Sequence, residues 1–277
     1  MRVDSHVHFW RLARGDYHWM TPDMTAILRD FGPDDLEPLM RAAGVDAVVL
    51  VQAAATVAET RFLLEQAAAC AFVKGVVGWV DMDSPRVRAT LEDLAASPWF
   101  KGVRPMIHDI PDAAWMLRTE LKPAFRHLVA LDLSFDCLVR PRHLPNLLEL
   151  LEDEPDLRAV ICHAAKPDIA AGTFDQWAHD MARIARRTTA FCKLSGLITE
   201  AGPGWSVEGL KPYVDHLLAI FGPDRLIWGS DWPVLTMTAG YADWVAAAET
   251  LLAGLPEDDR AKIFGANAAR AYQLREG

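Results

Sequence analysis

The sequence is short of cysteine, of long apolar runs and of positive charge. Each shortage excludes a class of protein. Only four cysteines occur in 277 residues: Cys70, Cys137, Cys162 and Cys192. None has C-x-x-C spacing and three lie in apolar, strand-like runs. Buried thiols in a reducing compartment are therefore expected, rather than a disulfide framework. No window approaches the ~18 uninterrupted apolar residues of a membrane span, and the first residues lack the apolar core of a secretion signal. The expected location is the cytoplasm, with no membrane partner. Lysine and arginine number 28 against 38 acidic residues, a net charge of −10 that disfavours nucleic acid as a partner. No linker, low-complexity segment or repeat divides the chain, so residues 1–277 are expected to form one domain.

A chain of this length, with 51% hydrophobic residues, can bury a large core without disulfides or structural metals. Short apolar β-rich runs alternate with longer helical patterns. Strands are predicted over 2–9, 47–52, 72–80, 102–107, 133–139, 158–163, 190–195 and 226–231. Helices are predicted over 57–70, 86–96, 121–131, 144–153, 174–187 and 207–221, with two more over 241–253 and 257–272. Thr56 and Glu59 have capping-box spacing, Ser84-Pro85 suits a helix start, and Gly44 and Gly222-Pro223 suit helix stops. Near-continuous apolar strands between helices imply a parallel sheet covered on both faces. Eight of them predict an α/β fold, a (β/α)8 TIM barrel, with an open two-faced sheet as the alternative.

In a barrel, alternate strand residues face inward and chemistry gathers at the C-terminal strand ends. Asp4, His6 and His8 share one parity of the first strand, and Val3, Ser5 and Val7 the other. Burying the valines against helices turns the histidines inward, with Cα atoms about 6.6 Å apart. The sixth strand ends at His163 and the eighth at Asp231. Polar residues closing apolar strands are costly without partners. These four make a site with one acid/base group and three candidate donors or ligands. Arg104 and Arg140, each before a proline at a strand end, suit anion or carbonyl binding. Asp136 is expected to form an ion pair inside the barrel with Arg140 or Lys193. Residues 10–33 form a long first connection carrying Trp10, Tyr17, His18 and Trp19, placed to wall or cover the site. His108 shares the parity of Arg104.

The motifs D-S-H-V-H-F-W, G-V-R-P-M-I, L-V-R-P-R-H, C-H-A-A-K-P, C-K-L-S-G-L and W-G-S-D-W-P-V together resemble the amidohydrolase superfamily. They are most similar to its lactonase branch, which includes L-fuconolactonases, L-rhamnonolactonases and 2-pyrone-4,6-dicarboxylate lactonases. The resemblance spans nearly the whole chain. It implies a distorted barrel of the metallo-dependent-hydrolase type that hydrolyses esters or amides. Metal-dependent members bind one or two ions through H-x-H, further histidines and the eighth-strand aspartate. Here Arg104 and Arg140 stand where such members carry a lysine and a histidine, so a two-metal centre is not expected. One zinc on His6, His8 and Asp231, with or without His163, is chemically feasible. A reaction that needs no metal is the favoured expectation.

The resemblance further implies ring-opening hydrolysis of a small-molecule lactone. Asp231 would take a proton from water while His6, His8 and His163 polarise the carbonyl. Sugar lactones such as L-fucono- or L-rhamnonolactone are preferred as substrates. Trp19, Gln52, Lys166 and Trp232 are expected to supply aromatic faces and hydrogen-bonding groups to a polyhydroxylated ring, with Arg104 or Arg140 orienting it. A 2-pyrone-4,6-dicarboxylate lactonase and a zinc-dependent decarboxylase are the alternative enzymes. A binding protein that kept the fold is the non-catalytic alternative.

Overall fold

A computed structural model describes residues 1–274. Eight parallel strands lie in sequence order around a TIM barrel: β1 (Val3–Val7), β2 (Ala47–Val51), β3 (Val73–Gly78), β4 (Phe100–Val103), β5 (Ser134–Cys137), β6 (Ala159–Ile161), β7 (Phe191–Leu194) and β8 (Leu226–Trp228). All eight predicted strands are present, several shorter than expected. Residues 162–163 and 229–231 lie beyond β6 and β8, in turns whose side-chain directions strand parity does not set.

The helices cover the outside of the sheet: α1 (Pro33–Ala42), α2 (Val57–Ala69), α3 (Val87–Ala95), α4 (Lys122–Ala130), α5 (Leu144–Asp153) and α6 (Asp175–Arg187). A short α7 (Leu197–Ala201) precedes α8 (Val207–Phe221), α9 (Tyr241–Leu251), α10 (Glu257–Ala261) and α11 (Asn267–Ala271). The predicted 257–272 helix is interrupted by a π-helical turn, Lys262–Ala266. Gly265 lies there against the Met1 carbonyl, so close chain packing accompanies the break. The Ser84-Pro85 start is shifted: α3 begins at Val87, while Ser84 Oγ accepts from the Arg86 N–H at 3.2 Å. At α2 only half the capping box forms. Thr56 Oγ1 accepts from the Glu59 N–H, but the Glu59 carboxylate turns to the N–H groups of Ala53 and Ala54.

The strand-to-helix layer is a continuous apolar core, with Leu36, Leu63, Leu91, Phe125, Leu148, Ile184 and Leu217 all buried against the sheet. The barrel interior is different. It mixes an apolar cluster of Val3, Val49, Val51, Val77, Val160 and Ile227 with His6, Ser134, Asp136 and Lys193, each fully buried; a register shift between Asp4 and Val7 puts Val3 inside and turns Asp4 to the helix side, against the parity expected for both. Burying charge without a partner would cost several kcal/mol, so these groups must satisfy one another. Lys193 Nζ lies 2.9 Å from Asp136 Oδ2, the expected ion pair, with Lys193 rather than Arg140 as its cation. Tyr272 and Ser134 also donate to Asp136.

Barrel closure between β1 and β8 uses few regular ladder bonds. The Asp231 N–H donates to the His6 carbonyl and the His8 N–H to the Trp232 carbonyl, both at 2.8 Å. Buried Asp4 completes the seam, its carboxylate accepting from the Ser230 N–H, the His6 N–H and the Tyr241 hydroxyl. Among the described residues no helix is long and apolar enough to cross a membrane. The four cysteines are free, three of them buried.

Gly102 marks the tightest strand contact. A Cβ there would lie 2.6 Å from the Ser134 backbone carbonyl, which cannot swing aside. Gly102→Ala is expected to destabilise the barrel by about 1–3 kcal/mol through overpacking. Thermal or denaturant unfolding of the variant against wild type reads this directly, and unchanged stability would refute it.

Candidate active site

At the C-terminal mouth of the barrel a cavity of about 350 Å³ is lined by His8, Trp19, Arg104, His108, Arg140, His163, Lys166, Thr199 and Asp231, with Met24, Met106, Leu138, Val234 and Met237 among its other walls. Its volume suits a small molecule. A larger cavity of about 550 Å³ lies at the opposite mouth, beside Arg2, Arg260 and Phe264. Its charged lining, Arg2, Arg260, Glu249 and Glu257, includes no histidine, and barrel chemistry is built at the C-terminal end.

Asp231 is the focus. Its Oδ1 lies 3.2 Å from His8 Nε2, 3.6 Å from His6 Nε2 and 3.7 Å from His163 Nε2. Burial alone would raise the carboxyl pKa, but the surrounding His163, His8 and Lys166 hold it well below the usual carboxylate range. The imidazoles of His6 and His163 are pushed down chiefly by burial, with neighbouring cations adding to it, so both are neutral. Burial likewise lowers His8, against its contact with Asp231.

Backbone conformation aims these side chains. Asp231 has φ 63°, and the four residues His163 to Lys166 all occupy the left-handed region, with φ of 52°, 49°, 62° and 53°. A non-glycine residue there costs roughly 1–2 kcal/mol. Tertiary contacts hold the turn: the Lys166 N–H donates to the His163 carbonyl at 2.7 Å, and Trp177 Nε1 donates to Ala164 at 2.8 Å. His163 Nδ1 meets Ser195 Oγ at 2.8 Å. Gly196, at φ 66°, passes so near the His163 ring that a Cβ would lie 2.7 Å from Nδ1. The C-K-L-S-G segment therefore fixes the histidine from behind.

His8 Nδ1 must donate to the Val51 carbonyl, 2.7 Å away, because that oxygen only accepts. In the neutral ring Nε2 then carries a lone pair facing an acceptor-only carboxylate. A proton or a metal ion between His8 and Asp231 makes that contact favourable. The donor atoms of His6, His163 and Asp231 all lie within 4.8 Å of one another, a spacing that a single ion can bridge. Arg104 crowds the same space, with its Nη1 3.1 Å from His6 Nε2.

The remaining expected residues divide between the cavity and its supports. Trp19 reaches the wall from the long first connection, pinned by its Nε1 donating to Ala53 at 2.7 Å. Lys166 pairs with Glu200 at 2.5 Å on the cavity side. Arg140 lines the wall. Gln52 is fully buried and does not line it; its Nε2 donates to the Arg104 carbonyl, while its backbone carbonyl accepts from the Arg104 guanidinium. Trp232, expected to face a substrate, packs edge-on to Phe9 and Phe31 instead. It follows the left-handed Asp231 and precedes a cis peptide to Pro233, so parity read along β8 does not apply to it. His6 is also enclosed, behind Arg104 and Asp231.

Several wall residues, Thr199, Met24, Met106, Leu138, Val234 and Met237 among them, were not singled out from sequence. Thr199, on α7, brings an unpartnered hydroxyl to the wall. Met24 and Met237 come from irregular connections. No periodic pattern distinguishes such positions. His108, noted only for parity with Arg104, enters the wall with its imidazole pushed down to about 3 by burial and by Lys166, Arg104 and Arg140.

The amidohydrolase family pattern matches residues 3–274. An L-fucono-1,5-lactonase of Burkholderia ambifaria is 45% identical over 99% of this chain and 96% of its own length. An L-fucono-1,5-lactonase of Burkholderia multivorans is 34% identical, covering 100% and 97%. A crystal structure of a Burkholderia multivorans amidohydrolase with bound zinc superposes with a TM-score of 0.92 at 35% identity, over 99% of this chain and 100% of that one.

Glu59 supports the cavity floor at Ala53. Burial pushes its carboxyl up to about 7, against N–H bonds from Ala53 and Ala54 and the charge of Arg104. A folded-state pKa above the unfolded value means that ionisation opposes folding. Stability should therefore fall as pH rises from about 4.5 to about 7, by about 1–3 kcal/mol for this group. Glu59→Gln should remove that fall, whereas the buried histidines contribute the opposite slope to both proteins. Unfolding free energies of the two across pH 4.5–8 check this, and parallel curves would refute it.

Proposed function

The chain belongs to the amidohydrolase family, and from that premise we propose a mechanism for it as a hydrolase of carboxylic esters that opens a sugar lactone. The observation that carries the mechanism is the Asp231 carboxylate, ionised and ringed by three histidines at one edge of a small cavity. The identity to L-fucono-1,5-lactonases supports a six-membered aldonolactone as substrate.

Water beside Asp231 attacks the lactone carbonyl as the carboxylate takes its proton. His8, its Nδ1–H held on the Val51 carbonyl, turns its Nε2 lone pair to Asp231 and shares the proton that the carboxylate takes from water. Arg104 and His163 both face the cavity and stabilise the oxygen on which charge develops, with His6 behind them. One well-placed donor of this kind contributes about 3–4 kcal/mol. When the tetrahedral adduct collapses, Asp231 returns its proton to the ring oxygen, giving the open hydroxy acid. Trp19, Lys166 and Arg140 orient the ring, and the Lys166–Glu200 pair offers a donor and an acceptor to neighbouring hydroxyls.

The donor set can take one zinc through His6, His163 and Asp231, with His8 beside them. Such an ion would act as a Lewis acid on the carbonyl. The proposed reaction needs none. Arg104 already supplies a fixed positive charge at this point, and an alkoxide leaves more readily than an amide nitrogen.

A pH-indicator assay of the purified protein against a panel of aldonolactones and pyrone dicarboxylates tests the substrate class. Rapid acid release from an aldonolactone is expected; activity confined to pyrone dicarboxylates, or release of carbon dioxide instead, would overturn it. Asp231→Asn should lower kcat by about 10²–10⁴-fold with the fold retained, and near-normal turnover would eliminate Asp231 as the base. Exhaustive chelation should leave hydrolysis unchanged. An apoenzyme that revives only with zinc would refute the metal-independent reaction.

A further inference from the structure

Glu59 has capping-box spacing, yet its fully buried carboxylate turns from the start of α2 to the segment that follows β2. The Ala53 N–H donates to Oε1 at 3.0 Å and to Oε2 at 3.2 Å, and the Ala54 N–H donates to Oε2. Successive backbone N–H groups turned to one side make a concave seat for an anion. Burial pushes the Glu59 carboxyl up to about 7, so at pH 8 the ionised group costs stability rather than adding it. Its role lies on the other edge of the two peptides it holds.

Both peptides are trans, and a planar trans peptide points its C=O away from its N–H. The plane that gives the Ala53 N–H to Glu59 also carries the Gln52 carbonyl, which accepts from Arg104 Nη2. The next plane gives the Ala54 N–H to Glu59 and carries the Ala53 carbonyl, which accepts from Trp19 Nε1 at 2.7 Å. Among the described residues the Gln52 carbonyl is the only oxygen that holds the Arg104 guanidinium, since Nη1 meets His6 and Nε has no partner. Trp19 has a single side-chain N–H, and Ala53 takes it. Arg104 and Trp19 both line the cavity, so one carboxylate orients two peptides that each hold a different wall residue.

We propose that Glu59 is a positioning residue: through the 52–53 and 53–54 peptides it aims the Arg104 guanidinium at the reacting carbonyl and fixes Trp19 against the substrate ring. This deepens the lactonase reading and rests on it for the catalytic consequence. The link from Glu59 to Arg104 and Trp19 stands apart from that reading. The long first connection has other anchors, Thr56 Oγ1 on Asp16 Oδ2 at 3.0 Å and Trp10 Nε1 on the Arg29 carbonyl at 2.8 Å. Loss of the Glu59 carboxylate therefore loosens the indole without releasing the whole connection.

Glu59→Gln keeps the volume but offers one acceptor oxygen in place of two, and Glu59→Asp is one methylene short of reaching both N–H groups. At pH 8, on the aldonolactone that wild type opens, each should lower kcat by about 10–100-fold through Arg104 and raise KM about threefold or more through Trp19. Trp19→Phe has already lost the bond to Ala53. Adding Glu59→Gln to it should again lower kcat but leave KM where Trp19→Phe sets it. Wild-type kcat and KM in either Glu59 variant, once folded, would refute the proposal, and so would an equal KM rise with and without the indole. Nitrogen-15-labelled tryptophan, with Trp19 assigned from Trp19→Phe, reads the link without substrate. The Trp19 indole N–H should exchange with solvent about tenfold faster or more in Glu59→Gln. An unchanged exchange rate would overturn the proposal whatever the enzyme hydrolyses. A wild type that opens no lactone while its indole responds in this way would sink the functional reading and leave the positioning role intact.

Discussion

The seam between the first and last strands is the constraint on which the site depends. Two backbone bonds, Asp231 N–H to His6 and His8 N–H to Trp232, tie the ends of the barrel together. They also lock Asp231 and the histidine pair into one frame. Asp4 makes the joint rigid by accepting from residues on both sides of it. Burial pushes the Asp4 carboxyl up to about 6, a measure of how dry the joint is. Closing the barrel and assembling the cluster of Asp231 with its histidines are therefore one structural event.

Below that seam the interior runs on paired charge. Asp136 and Lys193 neutralise each other in a layer where most barrels stack branched aliphatics. Such a pair contributes little net stability, because desolvation offsets its attraction. Its value lies in orientation, since the ammonium reaches His6 and the histidine reaches Asp231. Above it, a left-handed turn after β6 and a left-handed Asp231 after β8 turn two side chains back over the barrel axis. The strain is localised where side chains must converge, a common address for function.

Much of this was legible in the residues. The H-V-H alternation turned His6 and His8 inward together, with ring centroids 5.0 Å apart, but a register shift between Asp4 and Val7 reversed the expected sides of Asp4 and Val3. Eight apolar runs between helical periods specified the barrel, and helices 144–153 and 207–221 have the bounds their patterns predict. The inward parity of Asp136 marked a buried ion pair with Arg140 or Lys193, and the structure selects Lys193. Parity stopped being informative where strands ended early. His163 and Asp231 reach the site through turn geometry, and Trp232 packs away from it. Gln52 has the right position but its amide serves Arg104.

The local pattern of apolar and polar residues, read with periods of 2.0 and 3.6, determined the elements, their order and, Asp4 apart, the inward-facing polar residues of the strands. These follow from burial, a property of each residue and its near neighbours in sequence. Tertiary structure alone decided which nitrogen of each histidine faces Asp231, which expected residues line the cavity and which prop it up, and that Thr199, Met24 and His108 belong to its wall. Those outcomes depend on hydrogen-bond partners and turns from segments up to about two hundred residues apart, such as Lys193 against Ser5. No local periodicity records them.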